Sequence, residues 1–292
     1  MKAALIQLHI AIFLWGFTGV LGRAILINEA SLVWWRLLLT VTCLWLLFYL
    51  QGKVKRIGLQ QFVLVAGIGT LLSIHWLFFY GSIKQANVSI ALTCLATSGL
   101  FSAIIEPIAM NQKIKVQELL FGAIALVGIA IIYSSNLHFS VGIYYGLAAS
   151  LFTVLVSVAN KKYVMKIAPE TVTLYQLSGG FVGLSILLPF YCIVTQQKLI
   201  LPSANDFLYL LILAIVCTIF TFTLYIKALN RLSAFTVNLS LTLEPIYGIL
   251  LAFFLYNENQ HLGKYFYIGF GLIAVAVFLQ MAVMIKGKKV ML

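Results

Sequence analysis

Acidic residues are scarce in this chain, which has 7 Asp and Glu among its 292 residues, against 19 Lys and Arg. Charged residues make up 9% of the sequence and apolar residues 63%, and the mean hydropathy is +1.07. A soluble core could not hide so much apolar surface, and no polar stretch is long enough to fold by itself. The composition excludes a soluble protein and indicates a polytopic protein of the lipid bilayer.

Motifs of several enzyme classes are also missing. Intramembrane transferases that act on phosphorylated lipids need clustered aspartates for Mg²⁺, and this chain has one aspartate, Asp206. Its 4 histidines form no HExxH motif, no GxxxxGK[ST] loop is present, and its 4 cysteines lie singly in apolar runs. We therefore expect no enzyme activity, no metal and no cofactor, with an integral membrane enzyme kept as an alternative.

The net charge of +12 is concentrated in alternate loops and at the C-terminus. Such placement is the positive-inside pattern of cytoplasmic segments, so it predicts a multi-pass protein of the cell membrane rather than a partner for nucleic acid. The basic groups lie at residues 53–56, 113–115, 161–166, 227–231 and 286–289.

A hydrocarbon core of about 30 Å requires about 20 helical residues per crossing. The sequence has 10 apolar runs of that length, and an even number of crossings places both termini on one side, which the basic loops make cytoplasmic. The predicted helices cover residues 5–27, 31–50, 60–82, 86–110, 116–135, 140–164, 170–194, 206–228, 233–256 and 264–286.

The two halves of the chain are weakly similar to each other. Residues 79–135 align with residues 226–282 at an offset of 147. With an odd number of helices in each half, the second half enters the membrane from the opposite side, which gives the inverted repeat found in many transporters. We take residues 1–137 and 138–292 as the two repeats of one membrane domain.

Several segments, in this order, resemble the EamA-type transporters of the drug/metabolite transporter superfamily. The matching segments are FLWGFTGVLGRA (residues 13–24), WWRLLLT (34–40), GSIKQANVSIAL (81–92), the run 225–258 and YIGFGLIAVAVF (267–278). The resemblance implies ten helices in two five-helix repeats and the movement of small metabolites, often amino acids or related compounds and often outward. This sequence departs from the family pattern at MNQKI (110–114), where family members often have a glycine and a glutamate.

Glu244 is the main candidate for a functional residue. It lies beside Pro245 in the middle of an apolar run of membrane-spanning length. An ionisable group in a membrane helix is costly unless it faces a cavity or a partner, and proline frees backbone groups that only a protein interior or a wet cavity can satisfy. The carboxylate could carry a proton, bind a substrate amine or form a structural ion pair.

Glu244 also belongs to one of two polar stripes with a spacing of four residues, which places their members on one helix face. At the repeat offset the two stripes coincide, which suggests facing walls of a polar pathway. The alternative is that the hydroxyls bond their own helix or pack helices tightly. The stripes are Thr236, Ser240 and Glu244, and Ser89, Thr93 and Thr97.

Arg36 is the second charge inside a predicted helix. It could snorkel to the headgroups, pair with Glu244 or bind an anionic group of a substrate. Other cavity candidates are polar or aromatic side chains in apolar helices, each with a core residue as the alternative: Trp15, His75, Trp76, Asn160, Tyr175 and Gln176.

The sequence thus predicts a secondary transporter, an exporter of small molecules that works by alternating access around a central cavity. A passive channel or facilitator is the main alternative, because its sequence could look the same. Glycines such as Gly128 and Gly269 permit close helix packing within a monomer or in a homodimer.

Overall fold

A computed structural model describes residues 2–135, 137–164, 167–229, 231–232, 234–241 and 243–289. These residues form helices joined by short connections, with no strand among them. The helices are α1 Lys2–Ala24, α2 Glu29–Leu50, α3 Leu59–Gln85, α4 Val88–Leu95, α5 Ser98–Ala109, α6 Val116–Ser135, α7 Ser140–Tyr163, α8 Pro169–Thr195, α9 Ala204–Ala214, α10 Thr221–Leu229, α11 Ala234–Leu241, α12 Glu244–Tyr256 and α13 Lys264–Lys289.

The predicted all-α membrane fold is confirmed. In the part of the chain that the structure describes, 9 helical spans are long and apolar enough to cross a membrane. The helices α11 and α12 lie on either side of residue 242 and cover the remaining predicted crossing, 233–256. Long apolar runs between polar caps identify membrane helices, which is why the predicted boundaries fall close to the observed ones.

Short polar side chains begin several of these helices. The side-chain oxygens of Asn28, Asn87 and Ser203 accept hydrogen bonds from backbone N–H groups at the starts of α2, α4 and α9. Such N-caps satisfy amides that have no partner within the helix. The chain therefore turns tightly between crossings and keeps the helices in a compact bundle.

Contacts between helices follow a pseudosymmetric pattern. In the first half, α3 packs on α7 and α8; in the second, the eighth span, which begins with α9, packs on α1 and α2. The α4–α5 span packs on α7, as α12 packs on α1, and α6 packs directly on α13. These contacts of the first half thus have counterparts in the second.

Glycines permit the closest of these approaches. A Cβ on Gly16 of α1 would lie 2.9 Å from the backbone nitrogen of Gly248 in α12. Gly128 of α6 and Gly269 of α13 face each other in the same way, each against the other's backbone. Gly128 and Gly269 thus pack inside the monomer, and the homodimer stays a prediction.

The fourth and ninth spans are both interrupted near their middle. The positions of these interruptions show that the predicted alignment of the two halves is wrong by one residue. Three pairs of positions mark the same points in the two spans: the helix starts Val88 and Ala234, the helix starts Ser98 and Glu244, and the left-handed residues Asn111 and Asn257. All three pairs lie at an offset of 146, one less than the predicted 147. One residue turns a helix face by about 100°, so the two polar stripes are not equivalent.

The eighth span contains a π-helical segment, Ile215–Phe220, between α9 and α10. A π segment holds one extra residue per turn, which leaves a backbone carbonyl free for another donor. The hydroxyl of Thr218 takes this role and donates to the carbonyl of Leu213, at 2.8 Å. The segment also turns Thr218 toward α2 and α3, where the site described below is formed.

Candidate functional site

Arg36 lies inside the bundle rather than among the headgroups. Its side chain is only 4% exposed, and its guanidinium lies 4.0 Å above the ring of Trp76. Nη1 donates to the hydroxyl of Tyr80 at 2.7 Å, and Nη2 donates to the hydroxyl of Thr218 at 3.0 Å. We call these four residues the Arg36 cage; it joins α2, α3 and the π segment, and the snorkelling interpretation is wrong.

A hydrogen-bonded path leads from the cage to helix α1. Thr221 follows Thr218 by one turn, and its hydroxyl accepts a bond of 3.0 Å from the indole nitrogen of Trp15. The Trp15 ring is half-buried and packs on Tyr225, with ring centroids 5.3 Å apart. The next residue, Gly16, is the one that touches α12 beside Glu244. Trp15 therefore connects the surroundings of both intramembrane charges.

Glu244 opens helix α12 in the middle of the ninth span. Its side chain is half-buried. Among the described residues it has no hydrogen bond or ion pair, and the predicted pairing with Arg36 is absent there. A carboxylate at a helix N-terminus is stabilised by the helix dipole, which lowers the cost of placing it here. The group is therefore accommodated by the fold yet free to bind something else.

The end of the bundle where α1 ends and α2 begins, here called the distal end, is held by Glu258. The Glu258 side chain is 2% exposed and forms an ion pair with Arg23. It also accepts hydrogen bonds from the backbone N–H groups of Val88 and Ser89, at 3.0 and 2.8 Å, and from the Ser89 hydroxyl. We call these four residues the Glu258 lock; one carboxylate ties together α1, the start of α4 and the loop after α12.

Two more buried carboxylates reinforce the distal end. Asp206 accepts a hydrogen bond of 2.7 Å from the backbone nitrogen of Leu26, which fixes the α1–α2 loop on α9. Glu29 accepts bonds of 2.8 Å from Tyr191 and from Gln197, which fixes α2 on α8. Buried charges held by several donors resist separation, so this end of the bundle is closed in the structure.

The hydroxyls of the predicted stripes bond mainly to their own helices. Thr93 donates to the carbonyl of Ser89 at 2.6 Å, Thr97 to that of Cys94 at 2.6 Å, and Ser240 to that of Thr236 at 2.9 Å. Thr97 also contacts the Ser150 hydroxyl at 3.2 Å. Ser89, Thr93, Thr97 and Ser240 are at most 8% exposed. In this conformation they contribute to packing, and their lining of a pathway stays a prediction.

The remaining predicted site residues form no hydrogen bond with the Arg36 cage, although His75 directly precedes Trp76 in α3. His75 is 7% exposed; its Nδ1 lies 2.8 Å from the carbonyl of Ala149, as in a satisfied core histidine. The Tyr175 hydroxyl donates to the carbonyl of Lys55 at 3.0 Å, at the opposite end of the bundle. Gln176 is buried where α8 crosses Gly69 of α3. The Oδ1 atom of Asn160 is buried without a partner among the described residues.

Sequence reasoning missed several residues that the structure places at these sites. Tyr80 follows Trp76 by four residues on α3, so a shared helix face was readable from the spacing. Thr218 and Thr221 have no such signal, because the π segment that directs them is not visible in the sequence. Glu258 lies in a short polar loop and resembles an ordinary solvated turn residue until its partners are known.

The comparisons with known proteins cover nearly the whole chain. The sequence model of the EamA-like transporter family matches residues 2–134 and again residues 140–280. The chain belongs to the EamA-like transporter family. It is thus a transporter rather than an enzyme by its family, and a multi-pass protein of the cell membrane.

Two further similarities agree with this assignment. The chain is 22% identical over 266 residues to an uncharacterized transporter of Haemophilus influenzae, covering 86% of this chain and 81% of that protein. A solved structure described as "Crystal structure of protein" is similar over 97% of this EamA-like chain and 98% of its own, with a TM-score of 0.61 and 16% identity. The second similarity shows the fold alone.

Proposed function

We propose that this EamA-like protein is a secondary transporter that exports small metabolites such as amino acids or related compounds. It works by alternating access, with residues 1–137 and 138–292 as inverted repeats and both termini in the cytoplasm. The matched helix contacts of the two halves support the repeat, and the basic loops support the orientation. Its partners are the cargo and the lipid bilayer, without nucleic acid, cofactor or metal.

The observation that carries the proposal is Glu244 at the break of the ninth span. Discontinuous helices in transporters place half-helix ends and unsatisfied polar groups at the cargo site in the middle of the membrane. Here α12 starts at Glu244, and α5 starts at the corresponding point of the fourth span, at Ser98. A carboxylate that has no partner among the described residues at this point is suited to bind a proton or a cationic group of the cargo and to release it during each cycle.

Glu244→Gln tests this role. The amide keeps the size of the side chain but can neither carry a negative charge nor exchange a proton, so we expect transport to be lost or uncoupled from the proton gradient. Cells that express the variant would be compared with wild type in a metabolite screen of efflux and uptake, which also gives the direction. Glu118→Gln is the control, because it breaks the ion pair with Lys115 at the start of α6 and leaves Glu244 unchanged. Unchanged uptake and unchanged pH dependence in Glu244→Gln would refute the role.

A passive channel is distinguished by counterflow in proteoliposomes. A carrier binds cargo on one side at a time, so unlabelled cargo inside the vesicle accelerates the entry of labelled cargo. A pore gives downhill flux without this acceleration. The closed distal end supports the carrier, because alternating access requires one end of the bundle to be sealed while the other is open.

A further inference from the structure

The Arg36 cage contains a buried cation that has no counter-ion in the part of the chain that the structure describes. All 7 acidic side chains lie among the described residues, and none of them forms an ion pair with Arg36. Glu106, Glu118 and Glu258 pair with other basic side chains, Glu29 and Asp206 accept hydrogen bonds from neutral groups, Glu170 lies in the first turn of α8, and Glu244 lies in the first turn of α12 without an ion pair.

The neutral partners of Arg36 satisfy only part of the guanidinium. A guanidinium has five N–H groups. The cage hydroxyls of Tyr80 and Thr218 take two of them. The Nε atom is buried and has no partner among the described residues. A cation held this deep in a membrane protein is costly, and the ring of Trp76 offsets only a small part of that cost.

Besides the Nε–H, the bonds to Tyr80 and Thr218 leave two Nη–H groups without a partner among the described residues. The Nε–H and the neighbouring Nη–H of a guanidinium point in parallel from one edge of its plane. Two parallel donors on such an edge match the two oxygens of a carboxylate, which then accepts a bidentate, charge-assisted pair. The Tyr80 hydroxyl accepts from Arg36 and can turn its own hydrogen toward the same oxygens, whereas the hydrogen of the Thr218 hydroxyl is already bonded to the carbonyl of Leu213. The cage is therefore suited to one negatively charged planar group, and the surrounding buried residues exclude competing water.

We propose that the Arg36 cage binds the carboxylate of the cargo and makes the transporter selective for molecules that carry one. The proposal rests on the transport function proposed above, since it names the group by which that cargo is recognised. Binding neutralises the buried cation, so an acid gains interaction energy that its uncharged analogue does not. Trp76 and Tyr80 hold the guanidinium in place and contact the apolar part of the cargo.

The matched test compares each standard L-amino acid with its α-carboxamide, which differs by the loss of the carboxylate. Binding to the purified wild-type protein is followed by intrinsic tryptophan fluorescence, to which Trp76 contributes. We expect at least one amino acid to bind about 30-fold or more tightly than its amide, as for other buried charge pairs. Equal binding of acid and amide, or no binding by any amino acid, overturns the proposal.

Variants of Arg36 separate recognition from a structural role. In Arg36→Gln the preference for the acid over the amide disappears, whereas the loss of a purely structural residue weakens both ligands equally and leaves their ratio unchanged. Arg36→Lys keeps the charge but not the paired donors, so the preference falls about tenfold and remains measurable. If Arg36→Gln does not fold, Arg36→Lys tests the proposal by itself. An unchanged ratio of acid to amide affinity in Arg36→Lys contradicts a bidentate contact.

Counterflow distinguishes failure of this inference from failure of the proposed function. If wild-type proteoliposomes exchange an amide as fast as its acid, the protein is a carrier but the cage does not select carboxylates. If they exchange neither member of any pair, both the proposed cargo and the carboxylate site are wrong.

Discussion

Glu258→Gln should open the distal end of the transporter. The amide oxygen can still accept from Arg23 and Val88, but the amide nitrogen cannot accept from the backbone N–H of Ser89 or from its hydroxyl. An unsatisfied buried donor costs about 1–3 kcal/mol, and the weakened bond to Arg23 adds about 1 kcal/mol. These bonds exist only while the distal end is closed, so the closed state loses about 3 kcal/mol relative to the open one, or roughly 100-fold in population.

The assay uses a single reporter cysteine in a variant whose native cysteines are replaced. Thr18 suits this purpose, since it lies on α1 below the lock and is 8% exposed. A membrane-impermeant thiol reagent added at the distal side should label Thr18→Cys up to about 100-fold faster when Glu258→Gln is also present. Glu118→Gln, which breaks an exposed pair, serves as control and should leave the rate unchanged. Equal labelling rates with and without Glu258→Gln would show that the lock does not control access.

Three further changes test the packing, the π segment and the stripes. Gly16→Ala should lower the free energy of unfolding by about 1–3 kcal/mol because the new Cβ meets the α12 backbone, whereas Gly67→Ala, with open space around it, should not; equal thermal shifts would contradict this. Thr218→Val removes the bonds to Arg36 and to the carbonyl of Leu213 and should cost about 1–2 kcal/mol, with unchanged thermal unfolding as the contrary result. Single cysteines at Thr97 and Ser240 should react with a small water-soluble thiol reagent only while cargo is being transported; inaccessibility in every condition would assign both to packing.

The membrane crossings could be predicted from the sequence because hydrocarbon thickness and hydropathy determine them directly. Pro245 also indicated a disturbance within the ninth span, and α12 begins beside it, at Glu244. The register between the halves was wrong by one residue, since few identities constrain it and a single slip changes every face. Asn111 and Asn257, which both have a left-handed backbone conformation, give the correct offset. That conformation is known only from the structure.

The candidate site was predictable in its two charges and in Trp15 and Trp76, but not in the hydroxyl groups that contact Arg36. Glu244 and Arg36 are conspicuous in apolar helices, and the structure places both inside the bundle. Their partners depend on contacts between distant segments: Thr218 is 182 residues from Arg36 in the chain, and Glu258 is 235 from Arg23. Neither residue spacing nor composition indicates which distant segments are in contact. The regular spacing of the hydroxyls therefore predicted the two stripes, and not Thr218 or Glu258.

The π segment Ile215–Phe220 has a consequence for how this chain can be aligned and altered. Because it contains one surplus residue, the helix before it and the helix after it are out of phase by about 100° relative to an uninterrupted α-helix. Deleting a single residue such as Val216 would remove the surplus and rotate Thr218 away from Arg36 or Thr221 away from Trp15. A related chain without the surplus residue would align to this one with a one-residue gap in its eighth span, and that gap would mark the absence of the Arg36 cage.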